Sequence, residues 1–297
     1  MNEDYKNLDI YKCFKESKLH STKSNIYFNI YDELFNKYRN KKITFVEIGV
    51  KWGGSLLMWK NFFGNDARII GIDLYPETKK LEKHGLEIFI GDQSSDVFWK
   101  NFFSEVGNID VLLDDGGHTN ENQILTVNNV INNVNDNGLI VIEDTSVSYE
   151  KRYFNPSKHS FINYSKFLID DLYGKNAENF NLEGVRKKNS LNDNIYSIKF
   201  FNSIVAFFID RKKCLDKKSI LNRDLEIEPS EVIKDNFENP RWSSEVYTTG
   251  FVNKFFVNLS RIFFFLKKIK ILRTIVIKLK FKHRSIKSSN KLKKYFR

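Results

Sequence analysis

Cysteine is nearly absent: the 297 residues hold two, Cys13 and Cys214, far apart and without metal-ligand spacing. That excludes a disulfide framework and a cysteine-based zinc site, and it suits a reducing compartment. The first residues, MNEDYKNLDIYKCFKESK, lack the apolar core of a signal peptide, so a cytosolic protein is expected. Acids are missing from one stretch. Residues 251–297 carry 15 Lys and Arg and no Asp or Glu, which leaves 33 basic against 37 acidic residues in the first 250. The net charge of +11 therefore resides in the tail, and the body is mildly acidic. The tail also lacks a long apolar run. Its longest, Ile262–Leu266, has five residues, too few to span a bilayer.

What is present suffices for one sizeable core, with 41% hydrophobic and 15% aromatic residues. Ile26, Ile30, Leu34 and Phe35 have helical spacing. Largely apolar, β-branched runs at 43–48, 68–72, 86–90, 111–113 and 139–143 read as buried strands. Between them lie amphipathic stretches, the clearest being Ile124, Val127, Val130, Ile131 and Val134, which is expected to stop at a helix C-cap formed by Asn137-Gly138. Strand and helix alternate, which argues for a parallel sheet covered on both faces. A final pair, 195–200 and 204–209, reads as an antiparallel edge hairpin. The fold class expected is α/β, a Rossmann-like, doubly wound, mostly parallel sheet with a basic apolar C-terminal tail. The expected division is an N-terminal helical segment at 1–40, a core at 41–212, a linker at 213–250 and the tail at 251–297.

Chemistry concentrates where strands end. VLLDDGGH closes in Asp114, Asp115 and His118, and LIVIEDT closes in Glu143 and Asp144. Ligands of open α/β sheets sit at the carboxyl ends of the strands. Carboxylates that converge there cannot all ionise without a cation between them, and hard oxygen donors suit Mg²⁺ or a similar ion. Adjacent strand residues point to opposite faces, so Asp114 and Asp115 should not both reach one ion, and the pattern alone does not choose between them. Earlier in the chain, Gly49, Gly53 and Gly54 permit close backbone approach to a charged ligand. Asp73 follows Gly53 at the separation of a ribose-binding acid, with a turn acid as the alternative. Asp92 is a third strand-end acid or an Asx-turn residue. Strict G-x-G-x-x-G is absent. Trp52 and Tyr149 flank strand ends and are expected mainly to pack in the core. His20, His84, His159 and His283 are expected at the surface.

VEIGVKWGGSLLMW, IIGIDLYP, GDQSS, LLDDGGHTNENQ and VIEDT, in that order, resemble class I S-adenosylmethionine-dependent methyltransferases. The resemblance is more specific to the metal-dependent sugar O-methyltransferases of the macrocin and mycinamicin type, with cephalosporin-hydroxylase-like relatives, and it covers roughly residues 20–210. It implies S-adenosylmethionine and Mg²⁺ as cofactors, with Asp115, Glu143 and Asp144 as metal ligands and His118 as base. Glu47, Gly49, Gly53, Asp73, Asp92 and Gln93 would line the cofactor site. The implied acceptor is a sugar or glycan hydroxyl, as in a surface-polysaccharide precursor, and relatives of this type suggest a homo-oligomer.

Phe, Ile and Leu interleaved with Lys and Arg in 251–297 suit a helix lying on an anionic membrane, so peripheral contact with the cytoplasmic membrane face is expected. The segment is too apolar for a simple phosphate-tracking arm, which disfavours nucleic acid. The competing class is a non-catalytic Rossmann-like adaptor docking on membrane or RNA through this tail. An NAD(P)-dependent oxidoreductase is disfavoured because no Tyr-x-x-x-Lys pair follows the fourth strand.

Overall fold

The computed structural model describes residues 3–174, 190–215, 290 and 292–296. The linker at 213–250, apart from its first three residues, and nearly all of the basic tail, with His283, lie outside the described residues. Among the described residues no helix is long and apolar enough to cross a membrane.

Seven strands form one sheet in the order β3-β2-β1-β4-β5-β7-β6. β1 (Thr44–Ile48), β2 (Arg68–Asp73), β3 (Glu87–Ile90), β4 (Ile109–Asp114) and β5 (Val134–Ile142) run parallel. β6 (Ile195–Phe201) and β7 (Ile204–Ile209) complete it as an antiparallel hairpin, with β7 paired to β5. The expected Rossmann-like architecture and edge hairpin are both present. Because strand residues alternate between faces, two separate cores form. Val111, Leu113, Leu139 and Val141 face one core with α1 (Asp9–Glu16), α2 (Tyr27–Phe35) and α3 (Gly54–Phe63). Leu112, Ile140 and Ile142 face the other, with α4 (Asp96–Val106), α5 (Asn120–Val130) and α6 (Phe161–Gly174). A short α7 (Arg211–Leu215) follows β7.

The order places β1 between β2 and β4, so the chain reverses direction of winding there, and the tips of β1 and β4 open onto the crevice where such sheets bind ligands. Gly49 makes this junction possible. Its φ is +94°, and a Cβ at that position would lie 2.3 Å from the carbonyl oxygen of Asp115.

Several expectations require correction. Asn137-Gly138 is not a helix C-cap: α5 ends at Val130, and Val134 already pairs with Ile109 as part of β5. The register then passes to Val111 opposite Leu139, and Asn137 absorbs the irregularity with φ +62°. A left-handed residue serves a bulge as well as a helix end, so the same local signal fits both. β2 and β3 are joined by 3₁₀ turns over Pro76–His84, not by an α-helix. Trp52 and Tyr149 are 45% and 62% exposed, so neither packs in the core. His159 is buried, with Phe296 against its ring, because the end of the chain returns to α6. Leu292 is buried there, and Phe296 also meets Tyr164 and Phe167.

Candidate active site

A cavity of about 680 Å³ opens at the tips of β1, β2, β3 and β4. Gly49, Asp73, Asp92, Gln93, Asp115, His118 and Asp144 line it, together with Trp52, Leu74 and Tyr75 and with His20, Ser21 and Thr22 of the N-terminal segment. Its size suits a ligand of cofactor dimensions.

Not every expected residue faces this space. Glu47 and Gly53 do not line the cavity. Glu47 is fully buried beneath it, where its Oε2 accepts from Ser55 Oγ at 2.6 Å; burial raises its pKa against the opposing field of Lys23. Gly53, with φ +81°, starts α3, and a Cβ there would meet the side chains of Leu81 and Leu19. Asp73 Oδ2 accepts from the amides of Val50 and Lys51, both at 3.0 Å, and Oδ1 accepts from that of Tyr75 at 2.9 Å. It therefore ties the glycine turn to β2 while keeping acceptor capacity for a hydroxyl. Asp92 forms an Asx turn with the amide of Ser94 at the cavity wall. Gln93 is a clamp as well as a wall residue. Its Nε2 donates to both oxygens of Asp114, at 3.1 and 2.9 Å, and to Thr126 Oγ1 at 3.0 Å, while its Oε1 accepts from Gly117 N at 2.8 Å.

The acidic pairs divide their work. Asp114 is 1% exposed and faces Gln93, and burial raises its pKa. Asp115 turns the other way, with its side chain 25% exposed at the cavity. Glu143 lies just beyond β5 and is buried. Asp144 then takes a left-handed backbone, φ +54°, and turns its half-exposed carboxylate outward. His118, also left-handed at φ +53°, places Nε2 3.5 Å from Asp144 Oδ2 and 3.9 Å from Asp115 Oδ1. One ligand atom from each of Asp115, His118 and Asp144 falls within 4.8 Å of the others, and the buried Nδ1 of His118 has no partner among the described residues. Two hard carboxylates at this spacing fit a divalent cation, with the imidazole Nε2 beside them.

Glu143 stands apart from that trio because an unforeseen residue engages it. The Lys23 side chain is 2% exposed and runs into the carboxylates, with Nζ 2.7 Å from Asp115 Oδ2, 3.2 and 3.4 Å from the oxygens of Glu143 and 3.5 Å from Glu47 Oε1. Lys23 Nζ thus lies between Asp115 and Glu143, two of the three residues expected to hold a metal ion. Burial alone would pull the Lys23 pKa down, but the fields of Asp115 and Glu143 outweigh it and hold Lys23 charged. Burial pushes Glu143 up to about 8, against the pull of Lys23. Tyr31 donates to Glu143 Oε1, and Tyr27 donates to Asp144 Oδ1 at 2.5 Å. Lys23, Tyr27 and Tyr31 recur at intervals of four. Only the last two lie on α2, where a spacing of four puts both hydroxyls on one face; Lys23 precedes the helix, so its place carries no such signal.

The topology is that of a Rossmann-like fold with an antiparallel edge hairpin. A solved structure of MycE methyltransferase from the mycinamycin biosynthetic pathway, in complex with Mg and SAH, superposes with a TM-score of 0.60 at 24% identity, covering 69% of this chain and 55% of that one. In sequence, the chain is similar to 8-demethyl-8-alpha-L-rhamnosyl tetracenomycin-C 2'-O-methyltransferase of Streptomyces olivaceus, 28% identical over 153 residues, 48% of this chain and 40% of that protein. It is also similar to demethylmacrocin O-methyltransferase of Streptomyces fradiae, 33% identical over 126 residues, 40% of this chain and 31% of that protein. The resemblance to the macrocin and mycinamicin type read from the motifs is borne out by these similarities. The match thus spans two fifths or less of these curated relatives' length. No family model matches the chain.

Proposed function

We propose that the chain is an S-adenosylmethionine- and Mg²⁺-dependent O-methyltransferase acting on a sugar hydroxyl. The observation that carries this reading is the Asp115, His118 and Asp144 trio at the mouth of a cofactor-sized cavity, in a chain similar to sugar O-methyltransferases. A divalent cation held by these carboxylates would lower the cost of turning a hydroxyl into an alkoxide. The chain's own residues do the rest. Asp73 and Asp92 wall the cofactor side of the cavity, where Asp73 keeps an acceptor position for a ribose hydroxyl. His118 Nε2, directed towards Asp115 and Asp144, takes the acceptor's proton as its oxygen attacks the sulfonium methyl and the carbon–sulfur bond breaks. The transfer consumes a positive charge on sulfur and a negative one on oxygen, so a water-poor mouth favours it. Trp52 and the His20–Thr22 segment help enclose that mouth.

The test is His118→Ala. Methyl transfer to a glycan acceptor, read as a mass increment of one methyl group, should be lost while calorimetric binding of S-adenosylmethionine persists. Turnover that survives the substitution excludes His118 as the base, and turnover indifferent to chelator excludes the metal.

A further inference from the structure

Lys23 and a divalent ion have claims on the same carboxylates, Asp115 and Glu143. The ammonium sits 2.7 Å from Asp115 Oδ2 and 3.2 Å from Glu143 Oε2. Mg²⁺ requires its oxygen ligands at roughly 2.0–2.1 Å, and two cations cannot share that space without strong repulsion. Both oxygens of Glu143 are engaged: Lys23 reaches each of them, and Tyr31 donates to Oε1.

We propose that Lys23 is a tethered stand-in for the metal ion, held by Asp115 and Glu143 until the ion displaces it and brings Glu143 into its ligand set. This rests on the metal-dependent reading above and adds a coupling to it. Lys23 belongs to a strap clasped onto the glycine turn: Gly54 N donates to His20 O at 3.1 Å, and Ser17 Oγ donates to Gly54 O at 2.8 Å. The clasp is close, since a Cβ on Gly54 would lie 2.3 Å from His20 O. His20, Ser21 and Thr22 of the same strap line the cofactor cavity. Expelling the ammonium pulls on this segment, so metal loading loosens the strap at the cavity wall. Without metal, Lys23 keeps three carboxylates from being buried against one another with no counter-charge.

Hydrogen exchange on the metal-free full chain, with and without saturating Mn²⁺, reads the coupling directly. Exchange at Gly54 N–H and in residues 20–24 should accelerate severalfold when Mn²⁺ binds. In Lys23→Gln, the Mn²⁺ dissociation constant, followed by the resonance of free Mn²⁺, should fall about tenfold, equivalent to about 1.4 kcal/mol. The metal-induced change in exchange should then vanish. Mn²⁺ that binds the native chain with unchanged or slower exchange at Gly54 overturns the proposal, because Lys23 has then stayed in place. Equal or weaker Mn²⁺ binding by a folded Lys23→Gln overturns it as well. Mn²⁺ bound by neither protein removes the metal reading itself, a different failure. If the variant does not fold, native exchange alone decides.

Discussion

Replacing Gln93 by Leu separates two roles that the sequence could not. As a cofactor-lining residue alone, Gln93 could lose its amide with little effect on the fold. In the structure that amide is 7% exposed and satisfies Asp114, Thr126 and Gly117 together. Hydrogen bonds to a charged group contribute about 1.5–3 kcal/mol, and neutral ones about 0.5–1.5 kcal/mol each. Loss of the set should cost about 3–5 kcal/mol. A ceiling exists because Asp114 can escape by taking up a proton. From its ordinary value of 3.8 to pH 7 that escape costs at most about 4 kcal/mol, at about 1.4 kcal/mol per unit. The same escape fixes the pH dependence. Without its donors, Asp114 has a folded pKa raised further above its unfolded value, so the variant is least impaired at low pH and loses ground as pH rises. Urea unfolding of native and Gln93→Leu protein at pH 5 and pH 8 measures both effects. A loss below about 1 kcal/mol at both values would refute the clamp, and a larger deficit at pH 5 would refute the account of Asp114.

Gly49→Ala should destabilise by about 2–4 kcal/mol, from a left-handed backbone at a residue with a Cβ and from contact with the Asp115 carbonyl, and should weaken metal binding with it. Chemical denaturation within 0.5 kcal/mol of native would contradict this. In chelated protein, the melting temperature should fall between pH 5.5 and 8. Burial raises Glu143 to about 8 and raises Glu47 and Asp114 as well, so their contribution is complete below the ordinary carboxylate range and is lost as pH rises through the folded values. A melting temperature that climbs over that window would show these acids to be ionised throughout. Leu292→Ala should cost about 2–4 kcal/mol in thermal or urea unfolding, because that side chain is 1% exposed in the α6 core. No measurable loss would mean that the chain end does not dock there.

The strands were legible because each buried run is short, β-branched and bounded by turn residues, and because five such runs alternating with helices leave few topologies. Strand parity at Asp114-Asp115 was legible too, and the structure follows it. What could not be read was which distant groups meet these acids. Lys23 is one of 48 Lys and Arg residues, and nothing local marks it as the one whose ammonium reaches Asp115 and Glu143, 92 and 120 positions on. The apolar stripe through Ile30, Leu34 and Phe35 fixed the helix, but Tyr27 and Tyr31 share its face and core, so nothing in the pattern marked their hydroxyls as partners of the acids. Gln93 looked like a wall residue, since nothing in GDQSS shows that its amide turns inward to Asp114.

At each strand tip the paired acids separate into one that is buried and one that is open, and the burial decides what each can do. Asp114 and Glu143 are 1% exposed and need donors from within the chain, which Gln93 supplies to the first, and Lys23 with Tyr31 to the second. Asp115 and Asp144 keep side chains 25% and 42% exposed and can meet a ligand from outside. A buried carboxylate with complete internal partners does not attract an ion, whereas an open one beside an imidazole with an orphaned nitrogen does. Glu143 lies on the boundary between these cases, because its donor is a lysine on a segment outside the sheet and not a group fixed by the sheet itself. The N-terminal segment therefore belongs to the site, and a chain cut before Tyr27 should leave Glu143 and Glu47 buried without a counter-charge.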